Sequence, residues 1–541
     1  MKNKKLMLIV AAVLAVAVVC AVVIPIATCD KGPAQKVLHS NPQVLADAGV
    51  YPILKEEYKD QITLKIMGAN NAAINPDWSQ NKFFQRMEAK TGVKFTFEVY
   101  GDDMYDEKKS LALSTENNLP DIFFKANFSN YDEVTYGGKS LRSLNELIDG
   151  YAPNIKALLD ANPALKKSIT TTDGNIYALP TIYTNLPDGI TNIMRDYLWI
   201  NQAWLTELNL EMPGTPEEFL NVMRVFKQKK CTGKGDYPFV VAGIDHLLNV
   251  FNFFGMDLKS YWVQANGNGG IEFMPQTEEF RSALQFIRTM VSEGLMNDNW
   301  AVMDATTLNA TGASGTKYGC YSAAAPQYVV GYGENMREYV TLDPISPTGE
   351  NGFWGASFPA QRGCFAITTV CKYPEVAIRW IDALYDFDLP CNLWAIIGEE
   401  NKEWKWNDEK TAWFSTVSDK DYAKVMATTI IQTGDGMPYL VDESFWEKQE
   451  TAIDKYTRPL RNRQMKHGKV GYPLVYFNSK DLREIGDLAT DINNYVNRYI
   501  AAVISGDKNL DSDWTTFKTF NRLSLDRYME ILTKAYNEYK V

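Results

Sequence analysis

Histidine is nearly absent from this chain of 541 residues: there are three, His39, His246 and His467, far apart and in no HExxH-type spacing. Neither a zinc hydrolase nor histidine-based nucleophilic catalysis is written in a recognisable run. Cysteine is scarce as well. Of seven, two fall within the first thirty residues, and the other five, Cys231, Cys320, Cys364, Cys371 and Cys391, include no CxxC pair. That indicates neither a disulfide framework nor a zinc site, with room for one or two bridges at most. There is no GxxxxGK[ST], no GxGxxG after a strand and no GxSxG, and the Gly-Ala-Ser-Gly run at Gly312 to Gly315 lacks the nucleophile-elbow spacing. Positive charge is also short, with 55 Lys and Arg against 66 Asp and Glu for a net charge of −11, and the basic residues are dispersed among acids. A phosphate backbone needs a concentrated basic face, so nucleic acid is not the expected partner. No internal repeat is evident.

What is present is the composition of a large globular protein: 45% apolar, 12% aromatic and 22% charged residues. At more than three times a typical domain of about 150 residues, the chain is expected to form two or more packed lobes. It opens on three lysines, Lys2, Lys4 and Lys5, followed by an uncharged stretch from Leu6 to Cys29. The stretch exceeds the roughly 7 to 15 apolar residues of a signal-peptide core and reaches the roughly 20 that span a bilayer, so cleavage and retention are both open. The lysines place the N-terminus inside and the body outside. Cys29, after Ile26, Ala27 and Thr28, resembles the modified cysteine of a lipobox, and Cys20, after Val18 and Val19, is the poorer candidate. Residues 1–29 are therefore read as a signal and lipid-anchor segment holding the chain at the outer face of the membrane. Residues 30–60 are read as a tether leading into the fold, because Gly32, Pro33 and Pro42 interrupt any periodicity.

From Ile62 the pattern alternates. ITLKIM reads as a strand, and a helix is expected with Asn75 as cap, Pro76 in its first turn, Phe83, Phe84 and Met87 inside, and a stop at Gly92. VKFTFEV is a second strand, Met104 to Ser114 helical, and LPDIFF (Leu119 to Phe124) a third strand. Such alternation predicts a parallel sheet covered by helices, with ligand loops at the carboxyl ends of its strands. Further on, Thr215, Pro216 and Glu218 spell a capping box, and Phe280 to Val291 and Val376 to Leu384 carry helical stripes. Two helices close the chain, about Ser479 to Ile504 and Leu525 to Tyr539.

The aromatic surplus, 13 Trp, 29 Tyr and 25 Phe, extends into polar loops. Sugar rings stack their C–H faces on aromatics while their hydroxyls take amides and carboxylates. Asp77 and Trp78, after Asn70 and Asn71, form the best such cluster, and their plain structural reading is a helix cap with the indole packed on the first turn. Trp354 and Trp394, both with glycines nearby, are similar candidates. Trp404 and Trp406 read as surface or lobe-packing residues, and Trp380 as core. A carboxylate pair for glycoside hydrolysis leaves no spacing to search for, so a secreted polysaccharide-degrading enzyme stays an open alternative.

TGVKFTFE, LPDIFF, SLNELIDGYAPNI, TDGNIYALP, LWINQAWLTELNLEMPGTPEEF, DINNYVNRYIAAVISGD and LDRYMEILTKAYNEY, in that order, resemble the extracellular solute-binding proteins of ABC importers. The likeness is to the large lipoprotein branch associated with oligosaccharide uptake, which includes the alginate-binding proteins. It implies a two-lobed α/β fold of the periplasmic-binding-protein type, with hinge crossings and a helical C-terminal tail. Lobe one would comprise 61–183 and about 352–405, and lobe two 184–351 and about 406–541. It also implies a monomer that closes on an oligosaccharide and delivers it to a membrane permease without catalysis or cofactor; a ligand-sensing subunit for a membrane kinase would share these features. By position, the resemblance assigns Lys125 and Asn127 to the cleft, Tyr183 to a hinge crossing and Trp354 to the return strand. Some relatives hold a structural calcium in an acidic loop where this chain has CTGKGDYPF, in which Asp236 alone remains, so no metal ligand set is expected.

Overall fold

The structure, a computed structural model, describes residues 38–540 apart from 71–76, 195, 234, 260, 332, 419–423, 426, 432–435 and 520–521. The leader with Cys20 and Cys29, and the expected cap at Asn75 and Pro76, lie outside the described residues.

Among the described residues the chain builds two large sheets and three two-stranded ones. The first has six strands, in the order Leu440–Asp442, Leu179–Thr184, Ala360–Ile367, Ile122–Phe124, Thr63–Asn70 and Lys94–Gly101. Only Ala360–Ile367 runs antiparallel to its neighbours. The helix on this sheet starts at Lys82, later than the sequence suggested, because Trp78–Gln80 forms a separate 3-10 turn and Asn81 is the cap, accepting from the Phe83 N–H at 2.8 Å. It ends, as expected, at Gly92 with φ 74. Phe83, Phe84 and Met87 face inward, and Trp380 sits among Phe83, Phe84, Phe95 and Phe124.

The second sheet has four strands, in the order Tyr339–Thr341, Tyr197–Asn201, Tyr318–Ala323 and Tyr237–Val240. Its helix Pro216–Lys229 opens with the expected capping box: Glu218 accepts from the Thr215 N–H at 3.0 Å while Thr215 accepts from the Glu218 N–H at 3.2 Å. Three C-terminal helices, Ser479–Ser505, Leu510–Lys518 and Arg522–Lys540, bury Ile492, Val496, Phe517 and Tyr528 in this lobe's core. The middle one was not anticipated, since its apolar stripe is only Leu510, Trp514 and Phe517.

The chain passes between the sheets after Thr184, after Thr341 and after Asp442. The strand Leu440–Asp442 belongs to the first sheet, beyond the boundary near residue 406 that the sequence suggested. Trp404 and Trp406 pack with Trp413, Phe445 and Trp446 into a small aromatic cluster beside the first core. Among the described residues, Cys231, Cys320, Cys364, Cys371 and Cys391 form no disulfide, and no helix is long and apolar enough to cross a membrane.

Candidate functional site

Open α/β sheets place their ligands beyond the carboxyl ends of the parallel strands, which in the first sheet are the ends of Ile122–Phe124, Leu179–Thr184 and their parallel neighbours. After Ile122–Phe124 the chain takes left-handed backbone at Lys125 (φ 54) and again at Asn127 (φ 48), a conformation uncommon outside glycine. Two ladder-like bonds hold it there: the Ala126 N–H donates to the Cys364 carbonyl and the Phe128 N–H to the Gly363 carbonyl, each at 2.9 Å. Ala126 and Phe128 are thereby buried and Asn127 is exposed. Lys109 donates to the Asn127 carbonyl at 3.0 Å, and Gly436 abuts the Asn127 amide so closely that a Cβ would stand 2.8 Å from Oδ1. Lys125 itself is 8% exposed. Tyr183, half-buried, is the last residue but one of its strand, beside Pro359 and Val441.

Opposite stands Tyr197, the first residue of its strand. Burial pushes its phenol well up, against the Arg461 guanidinium and together with Glu443, Asp196 and Tyr183. The Tyr197 phenol thus senses charge from both sides of the chain's crossings. Burial likewise raises the Glu443 carboxyl, opposed by Arg461 and Arg458, and it depresses His246, which keeps that imidazole neutral at pH 7. His246 lies in the first turn of the helix Gly243–Phe251 that follows Tyr237–Val240, and Gln327 starts the helix Gln327–Val330 after Tyr318–Ala323.

His246 Nδ1, Gln327 Oε1, Arg461 Nε and Trp354 Nε1 are buried polar atoms without a hydrogen-bond partner among the described residues. Such an atom costs about 1–3 kcal/mol, and native proteins retain few without a reason. None of His246, Gln327, Glu443 and Arg461 was singled out in the sequence, where they are scattered over some 200 residues and carry no local motif.

The tryptophan assignments need correction. Trp78 is 1% exposed, its ring enclosed by Phe84, Phe97 and Phe124 and lying under Gly68, where a Cβ would meet it at 2.4 Å. It is a core residue with no face for a sugar. Trp354 is 2% exposed and packs on Phe253 inside the second core, beside the parallel pairing of Trp354–Gly355 with Gly468–Lys469. Asp77 caps the 3-10 turn, accepting from the Ser79 N–H at 2.9 Å and its hydroxyl at 2.7 Å. Trp394 lies half-buried on helix Cys391–Ile396 against the first core. Lys125, Asn127 and Tyr183 lie at or just beyond strand ends of the first sheet, whereas Trp78, Trp354 and Trp394 pack on the cores and Asp77 is spent on its turn.

The loop CTGKGDYPF does not fit a calcium ion. Asp236 spends both oxygens on backbone, Oδ2 accepting from the Gly233 N–H at 2.7 Å and Oδ1 from the Lys317 N–H at 2.9 Å. Calcium takes six to eight oxygens, and among the described residues no group of three or more His, Cys, Asp or Glu could hold a metal.

No family model matches the chain. Among curated proteins it is 26% identical over 527 residues, 93% of this chain and 94% of the relative, to the fructooligosaccharide ABC transporter substrate-binding protein FusA of Streptococcus pneumoniae. It is 23% identical over 252 residues, 46% of this chain and 47% of the relative, to the lipoprotein LipO of Bacillus subtilis. The structure of FusA in complex with kestose superposes with a TM-score of 0.73 at 26% identity, covering 88% of this chain and 99% of that one. That of the alginate-binding protein AlgQ2 does so with 0.66 at 21% identity, covering 88% and 98%. The fold is that of the two-lobed solute-binding proteins, and over nearly its whole length the chain resembles the extracellular substrate-binding proteins of ABC importers, in the large branch associated with oligosaccharides.

Proposed function

We propose that the protein captures an oligosaccharide between its lobes and hands it to the membrane subunits of an ABC importer, as a monomer and without chemistry of its own. The observation that carries this reading is the likeness to FusA, named for fructooligosaccharides, which runs through both lobes and the helical tail. The residues present support it: an exposed Asn127 amide, the Lys125 ammonium and the Tyr183 phenol on the first lobe, and on the second His246 and Gln327, each with a buried polar atom unpartnered among the described residues. Hydroxyls of a bound sugar would complete those atoms, and a ligand touching both lobes draws them together. In this reading lobe one comprises 61–184 and about 356–446, and lobe two the remainder of the body. The leader anchors it at the outer face through lipid on Cys29, a reading supported by the likeness to LipO.

A thermal-shift and calorimetry panel of kestose, nystose, alginate oligomers and galacturonan oligomers tests the proposal. A saturable stabilisation by one class, with the sugar recovered intact, supports it. Shortening of the sugar at a rate abolished by one acid substitution would replace it with the enzyme reading.

A further inference from the structure

Away from the strand-end cleft, the helix Asn130–Tyr136 of the first lobe rests on the second. The segment it meets, 471–478, belongs to the second lobe by its bonds: the Gly471 N–H donates to Asp257 Oδ2 at 3.0 Å, the Tyr472 hydroxyl to the Leu532 carbonyl at 2.8 Å, and Val475 and Phe477 lie in that lobe's core. Three first-lobe side chains grip it. The Tyr476 hydroxyl donates to Glu133 Oε2 at 2.8 Å. Asn130 and Arg362 both donate to the Val475 carbonyl, at 3.3 and 3.2 Å. The Arg362 guanidinium also lies 4.2 Å from the centre of the Tyr476 ring, a stacking contact worth more when desolvated. Glu133 is almost wholly buried, and its second oxygen, Oε1, has no partner among the described residues.

A buried carboxyl and phenol under a half-buried guanidinium, drawn from two lobes, form a costly arrangement unless contact between those lobes is what they report. We propose that Glu133, Arg362 and Tyr476 are a latch between the lobes: positioning residues that set how readily the cleft closes, and make closure depend on the proton held by Glu133. The inference rests on the capture reading only in taking lobe motion as functional.

The charges facing Glu133 are Arg362 from the strand Ala360–Ile367, Tyr476 from the second lobe and Asp132 from its own helix. Behind Asp132 stands Lys109, 3.5 Å away and also paired with Asp106 at 2.9 Å; Tyr261 of the second lobe senses Arg362. Burial dominates and raises the Glu133 carboxyl to about 7, with Asp132 adding to it and Arg362 and the Tyr476 bond opposing. When the lobes part, Glu133 meets water and its ordinary carboxylate range. The latched state therefore binds the proton more tightly: its advantage is complete at low pH and is lost as pH rises toward about 7.

Small-angle scattering of the ligand-free protein, between about pH 5 and pH 8, reads the closed-to-open ratio. The wild type is expected to open with rising pH, by about tenfold per pH unit at most, and to level off above pH 7. Glu133→Gln, which keeps the shape and stays neutral, is expected to abolish that dependence. Tyr476→Phe is expected to shift the ratio toward open by roughly fivefold, the scale of one net hydrogen bond. A Glu133→Gln protein that follows the wild-type pH curve would overturn the proposal, as would a Tyr476→Phe protein whose melting temperature falls while its scattering is unchanged. Should the glutamine variant fail to fold, Tyr476→Phe decides alone. No sugar enters the measurement, so failure of every saccharide to bind would strike the capture reading and leave the latch standing.

Discussion

Gly363 lies so close to Phe128 that a Cβ on it would stand 2.2 Å from the Phe128 carbonyl oxygen, while the Phe128 N–H donates to the Gly363 carbonyl at 2.9 Å. Gly363 also has φ +74, which an L side chain rarely adopts. One glycine on the antiparallel strand thus fixes the turn that carries Lys125 and Asn127. Gly363→Ala should lower stability by about 2 kcal/mol or more and weaken ligand binding together with it. Thermal unfolding and calorimetry on the same preparation check the pair; loss of stability with unaltered affinity would separate the turn from the site.

Tyr183 and Asn127 should behave in the opposite way. Tyr183→Phe keeps the ring on the core and Asn127→Gly suits the left-handed backbone, so both are expected to cost about 1–2 kcal/mol in binding, some five- to thirtyfold in Kd, with melting temperature nearly unchanged. Trp78→Ala is the control: an indole enclosed by three aromatic rings should cost about 3–5 kcal/mol of stability. Retained stability there, with affinity lost, would return Trp78 to the ligand.

Asp382 closes the start of helix Pro153–Ala161, accepting from the Ile155 N–H at 2.9 Å and the Asn154 amide at 2.9 Å. Burial nevertheless raises its carboxyl to about 6, against those hydrogen bonds. Because its folded value lies above the unfolded one, its contribution is full below about pH 4 and is lost as pH rises through 6. Asp382→Asn should flatten the stability profile across that window by an amount on the order of 2 kcal/mol. Chemical denaturation at pH 4, 5 and 6 measures it, and parallel profiles for both proteins would refute the assignment.

Calcium and chelator should leave the melting temperature unchanged within about 1 °C, because the Asp236 oxygens already hold the Gly233 and Lys317 amides. A calcium-dependent rise would show that the loop rearranges to take a cation.

Cys29→Ala should release the protein into the medium or leave an unprocessed precursor, and should abolish incorporation of labelled lipid. Unchanged labelling would move the anchor to Cys20.

The local elements of this protein were legible in its sequence. The capping box of Thr215 and Glu218, the stop at Gly92 and the stripes of the tail helices all appear in the structure. Each depends on residues within a few positions of one another, so the chain states them directly. The sequence order of motifs likewise determined the family resemblance and the two-lobed fold. What a given tryptophan does was not stated, because burial is decided by distant partners. Trp78 is closed off by Phe124 and by the backbone at Gly68, and Trp354 by Phe253. The meeting of Tyr183 with Tyr197, Glu443 and Arg461, and of Glu133 with Arg362 and Tyr476, spans separations of up to 343 residues. Only the tertiary structure could decide those encounters: a carboxylate or an indole looks the same in sequence whether water or another lobe lies against it, and its chemistry follows from which of the two does.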